Sequence, residues 1–164
     1  MTLKEKINQD FKDAFKVKEE TKVSVLRMLL SSIKNKELEK RAKLVKTVSD
    51  EAELVKQSQL SDEETLGVIG TEVKRRKDSI EQYKNGGRPE LAAQEEAELK
   101  ILAAYLPEQM GEDTVRKIVV ESIKESGATG AQDLGKVMKI LMSRVKGKAD
   151  GGLVNRIVKE ELEK

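Results

Sequence analysis

Between Gly135 and Lys159 the chain carries Lys136, Lys139, Arg144, Lys146, Lys148, Arg156 and Lys159 against one acid, Asp150. Gly147, Gly151 and Gly152 interrupt this run. Lysine beside glycine is a composition suited to phosphate, because ammonium groups attract the anion and backbone without Cβ lets it approach amide N–H groups at a helix start. Seven positive side chains less one negative give a local balance of +6, whereas over the whole chain 32 Lys and Arg nearly cancel 30 Asp and Glu. Attraction to a polyanion must therefore come from clustering and not from net charge. The competing account of the same residues is a solvated lysine face with a glycine turn and an Asp150 helix cap.

Other chemistry is narrowed by what is missing. With no His and no Cys, the chain lacks the parts of a Ser-His-Asp or Cys-His site, a typical zinc site or a thiol redox centre. The carboxylates Glu90, Glu95, Glu96 and Glu98 do not suggest a di-metal site, which would normally add a histidine. The string GAQDLGKV, from Gly130 to Val137, has the GxxxxGK spacing of a phosphate loop. Valine stands where Ser or Thr would hold magnesium and no strand precedes it, so no nucleotide site is expected. Instead Gly127 caps one helix, Thr129 and Gln132 open the next as a capping box, and Gly135 permits close helix packing. No cofactor and no metal are expected. The only aromatics are Phe11, Phe15, Tyr83 and Tyr105, too few to stack splayed bases. The N-terminus is charged from Lys4 onward without an apolar run, and no segment reaches the roughly 20 apolar residues of a membrane span. These features lead to the expectation of a soluble cytoplasmic protein without membrane contact.

The elements that must position the basic cluster are helical. Apolar residues recur at helical spacing almost throughout and strand-like alternation is missing, so the fold class is all-α. Thr2 and Glu5 form a capping box before Leu3, Ile7, Phe11, Ala14 and Phe15, which share one face. A second helix is apolar over most of its circumference from Val23 to Ile33, which suggests the central helix of a bundle. Residues 43–60 read as a helix extension or mobile linker. Ser61 and Glu64 start a third helix to about Asn85, with Leu66, Ile69, Val73, Ile80 and Tyr83 inward. Gly86-Gly87 stops it, Pro89 opens a fourth, and Pro107 ends that one. Arg27 and Arg76 fall in register with apolar faces and are expected to be partly buried, Arg76 in an ion pair with a carboxylate of the fourth helix.

Three short helices follow, around Val115–Ile123, Leu134–Val145 and Leu153–Leu162. The expected organisation is a four-helix bundle-like domain over 1–107 and a three-helix domain over 108–164. A domain of 57 residues folds marginally by itself and is expected to lean on the bundle or on a partner.

The strings RMLLSSIKNKE (27–37), KRRKDSIEQYKNGGRPELAAQEEAELKILAAYLPEQM (74–110) and DLGKVMKILMSRVKGKADGGLVNRIV (133–158) resemble the bacterial YqeY family over nearly the whole chain. The last is also similar to the tail domain of GatB, a subunit of the glutamine-dependent tRNA amidotransferase, and to a domain appended to some glutaminyl-tRNA synthetases. The resemblance implies a tRNA-binding tail on Lys136, Lys146, Lys148, Gly147, Gly151 and Gly152, extended here to Lys139, Arg144, Arg156 and Lys159. It also implies a label, carbon-nitrogen ligase with glutamine as amido-N-donor. The kinase and transamidase portions of those relatives have no counterpart in this chain, so catalysis by the chain alone is not expected. The linker over 43–60 is longer than is usual for the family. The expected partner is tRNA, and the alternative is an adaptor for an aminoacyl-tRNA synthetase or amidotransferase without RNA contact.

Overall fold

Helices begin where side chains can take up free amide N–H groups. In the computed structural model, which describes all residues of Met1–Lys164, the Thr2 hydroxyl accepts from Glu5 N–H at 3.2 Å while the Glu5 carboxylate accepts from Thr2 N–H at 2.7 Å. This capping box starts α1 (Leu3–Lys16), and Ser61 with Glu64 repeats it at 3.1 and 2.8 Å. Between them run α2 (Glu20–Leu44) and a short α3 (Glu51–Ser58), and after Ser61 come α4 (Asp62–Asn85) and α5 (Pro89–Ala103). α6 (Glu112–Ser126), α7 (Leu134–Val145) and α8 (Gly151–Leu162) complete an all-α chain of eight helices. The chain divides into two compact units, Met1–Tyr105 and Leu106–Lys164. No helix is long and apolar enough to cross a membrane.

In the first unit α2 touches every other helix and buries Val25, Leu26, Leu29 and Ile33, which agrees with its expected central place. Arg27 does not follow: it is exposed, because the buried row runs through Val25, Leu26 and Leu29 and leaves Val23 and Leu30 only half-buried. Phe15 is corrected similarly. It lies in the last turn of α1, one residue past the buried Ala14, and is 62% exposed, leaning on Phe11 with ring centroids 6.4 Å apart. Residues 51–58 are a helix and not a linker: Asp50 accepts from Glu53 N–H at 2.8 Å and Leu54 is buried. One buried leucine in eight residues is too short a pattern for periodicity to register.

The α4–α5 hairpin turns as its glycines require. Gly87 has φ +68°, its N–H donates to Lys84 at 3.2 Å, and Arg88 N–H donates to Tyr83 at 2.8 Å, a Schellman closure. α5 ends at Ala103, short of the expected stop at Pro107; Tyr105 leaves the helical path and its hydroxyl donates to Asp10 at 2.6 Å. Burial, followed by that carboxylate, pushes the Tyr105 phenol well above its ordinary range. Arg76 is buried as expected. Its guanidinium donates to Glu72 at 2.9 Å and to Glu98 of α5 at 3.2 Å, while Ser32 donates to Glu72 at 3.1 Å. The charges thus enter the interior only as a fully hydrogen-bonded set, and no buried side-chain N or O lacks a partner.

The second unit buries Val115, Val119, Val137, Leu141, Val145, Val154, Ile157 and Val158 in one seam. Gly127, with φ +68°, closes α6. The expected capping box at Thr129 and Gln132 is not what opens α7. Instead Asp133 draws in the Thr129 N–H at 3.0 Å across a single 3-10 turn (Ala131–Asp133), because a carboxylate accepts better than an amide oxygen. Gly135 is not a packing glycine either: a Cβ placed there would meet nothing within 4 Å.

The buried ion set predicts a clear asymmetry. Arg76→Ala, which strands Glu72, lowers unfolding free energy by about 3–5 kcal/mol in urea titrations. The paired change Arg76→Met with Glu72→Met, which removes both charges, costs less than that single change.

Candidate nucleic-acid interface

The basic run is built on a tight reversal. α7 ends at Val145, and Lys148 N–H and Ala149 N–H both return to the Val145 carbonyl at 2.9 and 3.1 Å. Gly147 takes φ +75° to make this turn, a conformation that favours glycine. Asp150 then caps α8, its carboxylate accepting from Gly152 N–H at 2.9 Å and Leu153 N–H at 3.1 Å. The amides proposed from sequence as a phosphate cradle are therefore already occupied by an internal anion, and Gly151 and Gly152 serve the cap.

The charged residues of the cluster divide by type. Lys136, Lys139, Lys146, Lys148, Arg156 and Lys159 are exposed and Arg144 is half-buried. Both arginines are tied to α6. Arg144 pairs with Glu125 and lies 3.5 Å from the Ser122 hydroxyl, whereas Arg156 donates to Glu112 at 2.8 Å and reaches Glu160 at 3.5 Å. Lys136 reaches Asp133 at 3.1 Å, with the lysine side chain exposed and the Asp133 side chain mostly covered. The side chains of Lys139, Lys148 and Lys159 form no ion pair.

Arg156 belongs to a larger clasp. Arg116 donates to Glu161 at 2.7 Å, to Glu160 at 2.8 Å and to Glu112 at 3.1 Å, so two guanidiniums and three carboxylates join the start of α6 to the end of α8. Hydrogen bonds from Arg156 and then Arg116 hold the Glu112 carboxyl below its ordinary value. Lys164, followed by Arg116, does the same for Glu161, and the Thr129 amide followed by Lys136 does so for Asp133. The contacts between α6 and α8 were not legible in the sequence, because residues such as Glu112 and Arg156 are 44 positions apart. Gln109 was missed for the same reason: its side-chain amide donates to the carbonyls of Pro107 at 2.8 Å and Gly147 at 2.9 Å. Met110 N–H donates to the Lys148 carbonyl at 2.7 Å.

Elsewhere, a groove of about 460 Å³ runs between α2 and α4, lined among others by Ser32, Lys36, Lys40, Lys43, Val68 and Glu72. Lys36 pairs with Glu39 at 2.9 Å and Lys40 with Glu64 at 2.8 Å. Ser32 donates to Glu72, whose carboxylate is already paired with Arg76. No group of three or more acidic side chains forms a metal cluster.

The chain is all-α, and its last three helices present lysines around a clamped turn. The chain belongs to the Yqey-like protein family, whose pattern it matches over residues 4–162. Curated relatives include the protein called "Altered inheritance of mitochondria protein 41, mitochondrial". The one from Vanderwaltozyma polyspora is 34% identical over 100 residues, 61% of this chain and 46% of the relative. That from Pyrenophora tritici-repentis is 27% identical over 158 residues, 94% of this chain and 78% of the relative. That from Eremothecium gossypii is 30% identical over 100 residues, again 46% of its length. The chain thus spans about half the length of two of the three relatives.

These names overturn the expectation of a plainly cytoplasmic protein, since all three relatives are described as mitochondrial. Charge, absent cysteines and the lack of an apolar span do not distinguish one compartment from another.

The clasp predicts an acid-sensitive second unit. A carboxyl depressed in the folded state stabilises above its ordinary pKa and loses that contribution as pH falls through the depressed value. Melting followed between pH of about 5 and about 3 therefore shows falling stability, and the decline is smaller in Arg156→Met, which relieves Glu112 of its principal partner.

Proposed function

We propose that the unit over Leu106–Lys164 is a tRNA-binding module that docks on backbone phosphates through lysine side chains. The observation that carries this reading is the set of exposed lysines without carboxylate partners, Lys139, Lys148 and Lys159, on the outer sides of a hairpin whose arginines are consumed internally. Lys136, itself exposed, stands beside them but is paired with Asp133. Folded RNA is read through phosphates, 2′-hydroxyls and shape, which needs few aromatics. The resemblance of DLGKVMKILMSRVKGKADGGLVNRIV to the amidotransferase tail supplies the class of RNA. Binding, and not amide transfer, is the contribution assigned to these residues.

The test is affinity of the full chain for total tRNA across a salt series. Three or four neutralised phosphates give a log–log slope of about −3 to −4 at roughly 0.9 per phosphate. The triple change Lys139→Glu, Lys148→Glu and Lys159→Glu removes most binding. Arg156→Met retains most of it, since that arginine is committed to Glu112. No binding at low salt, or equal binding by the triple variant, sinks the RNA reading and redirects attention to a protein partner.

A further inference from the structure

We propose that Gln109 is a positioning residue that sets the Gly147–Lys148 turn and, through it, the Lys148 ammonium that meets the RNA backbone; this rests on the tRNA reading above. The turn carries a lysine whose own side chain has no internal partner, so its placement is left to the backbone beneath it. That backbone is held from two sides. On one, Asp150 fixes the first amides of α8. On the other, the Gln109 amide takes the Gly147 carbonyl at 2.9 Å and Met110 N–H takes the Lys148 carbonyl at 2.7 Å.

Each part of this second clamp suits its place. Pro107 restricts the segment before Gln109, and its carbonyl accepts the other Gln109 N–H at 2.8 Å, so the side-chain amide is aimed by the same strap that carries it. Met110 and Ala149 both pack on the apolar seam, which anchors the strap and the turn to one support. Gly147 at φ +75° makes the left-handed step of the turn, and it is the residue whose carbonyl Gln109 holds. A lysine on a turn held this way loses less freedom on binding phosphate than one on a free loop. Gln109 is itself exposed, so its hydrogen bonds act on the turn more than on the core.

The decisive experiment is a cycle of Gln109→Met and Lys148→Met in the full chain. Methionine keeps the length and removes the donor. Affinity for total tRNA at low salt is measured for the four proteins, with melting and amide exchange on the same samples. Gln109→Met weakens binding about three- to tenfold with melting unchanged, and the double variant binds no worse than Lys148→Met alone. The Met110 amide, freed from a fixed Lys148 carbonyl, exchanges faster in Gln109→Met. Unchanged affinity, losses that multiply in the double variant, or unchanged Met110 exchange overturns the positioning role. Failure of the unaltered protein to bind tRNA is a separate outcome: it overturns the tRNA reading, and the positioning role falls with it.

Discussion

The second unit depends on one reversal of chain direction between Val145 and Gly151. Two helices of 12 residues each can close their apolar stripes on α6 only if the five residues between them return the chain at a fixed angle. Gly147 supplies the left-handed step and Asp150 the cap, and the strap through Gln109 and Met110 holds the turn from outside. Because Val137, Leu141 and Val145 face inward on α7, Lys136 and Lys139 face outward at the remaining helical phases. Packing and charge display are thus one requirement: a reversal that failed to seat Val154 and Ile157 would also scatter the lysines.

What could be read in the sequence is what acts over a few residues. Capping boxes at Thr2–Glu5 and Ser61–Glu64, the glycine stop at Gly87 and the Asp150 cap involve neighbours whose geometry the chain dictates locally. Arg76 was legible as a buried charge because α4 keeps one apolar face along its length. Arg27 was not, since α2 is apolar on several sides and offers no unique register until its neighbours choose one. α3 escaped notice because a single buried leucine has no period. At the candidate interface the exposure of the lysines follows from periodicity, whereas the partners of Arg144 and Arg156 do not. Glu112 and Glu125 reach them only after α6 has packed, and no spacing rule relates residues 19 or 44 positions apart.

The division of labour between arginine and lysine follows from their chemistry. A planar guanidinium can bind two carboxylates at once in fixed geometry, and it desolvates more easily than an ammonium. Arg76 in the first unit and Arg116 and Arg156 in the second each bridge at least two acids, and Arg144 joins α7 to α6. Lysine, a compact and strongly hydrated charge on a flexible stem, gains less from such bridging and is left toward water. The consequence differs between the units. In the α2–α4 groove two of the three lining lysines are matched by glutamates, so a polyanion there would displace bonds already made. Around the α7–α8 turn Lys139, Lys148 and Lys159 have no such bonds to lose, and the Asp150 carboxylate accepts from the Gly152 and Leu153 amides. A phosphate approaching these three lysines therefore displaces no ion pair. For the proposed phosphate contact this favours the tail over the groove even though the whole chain is close to electrically neutral.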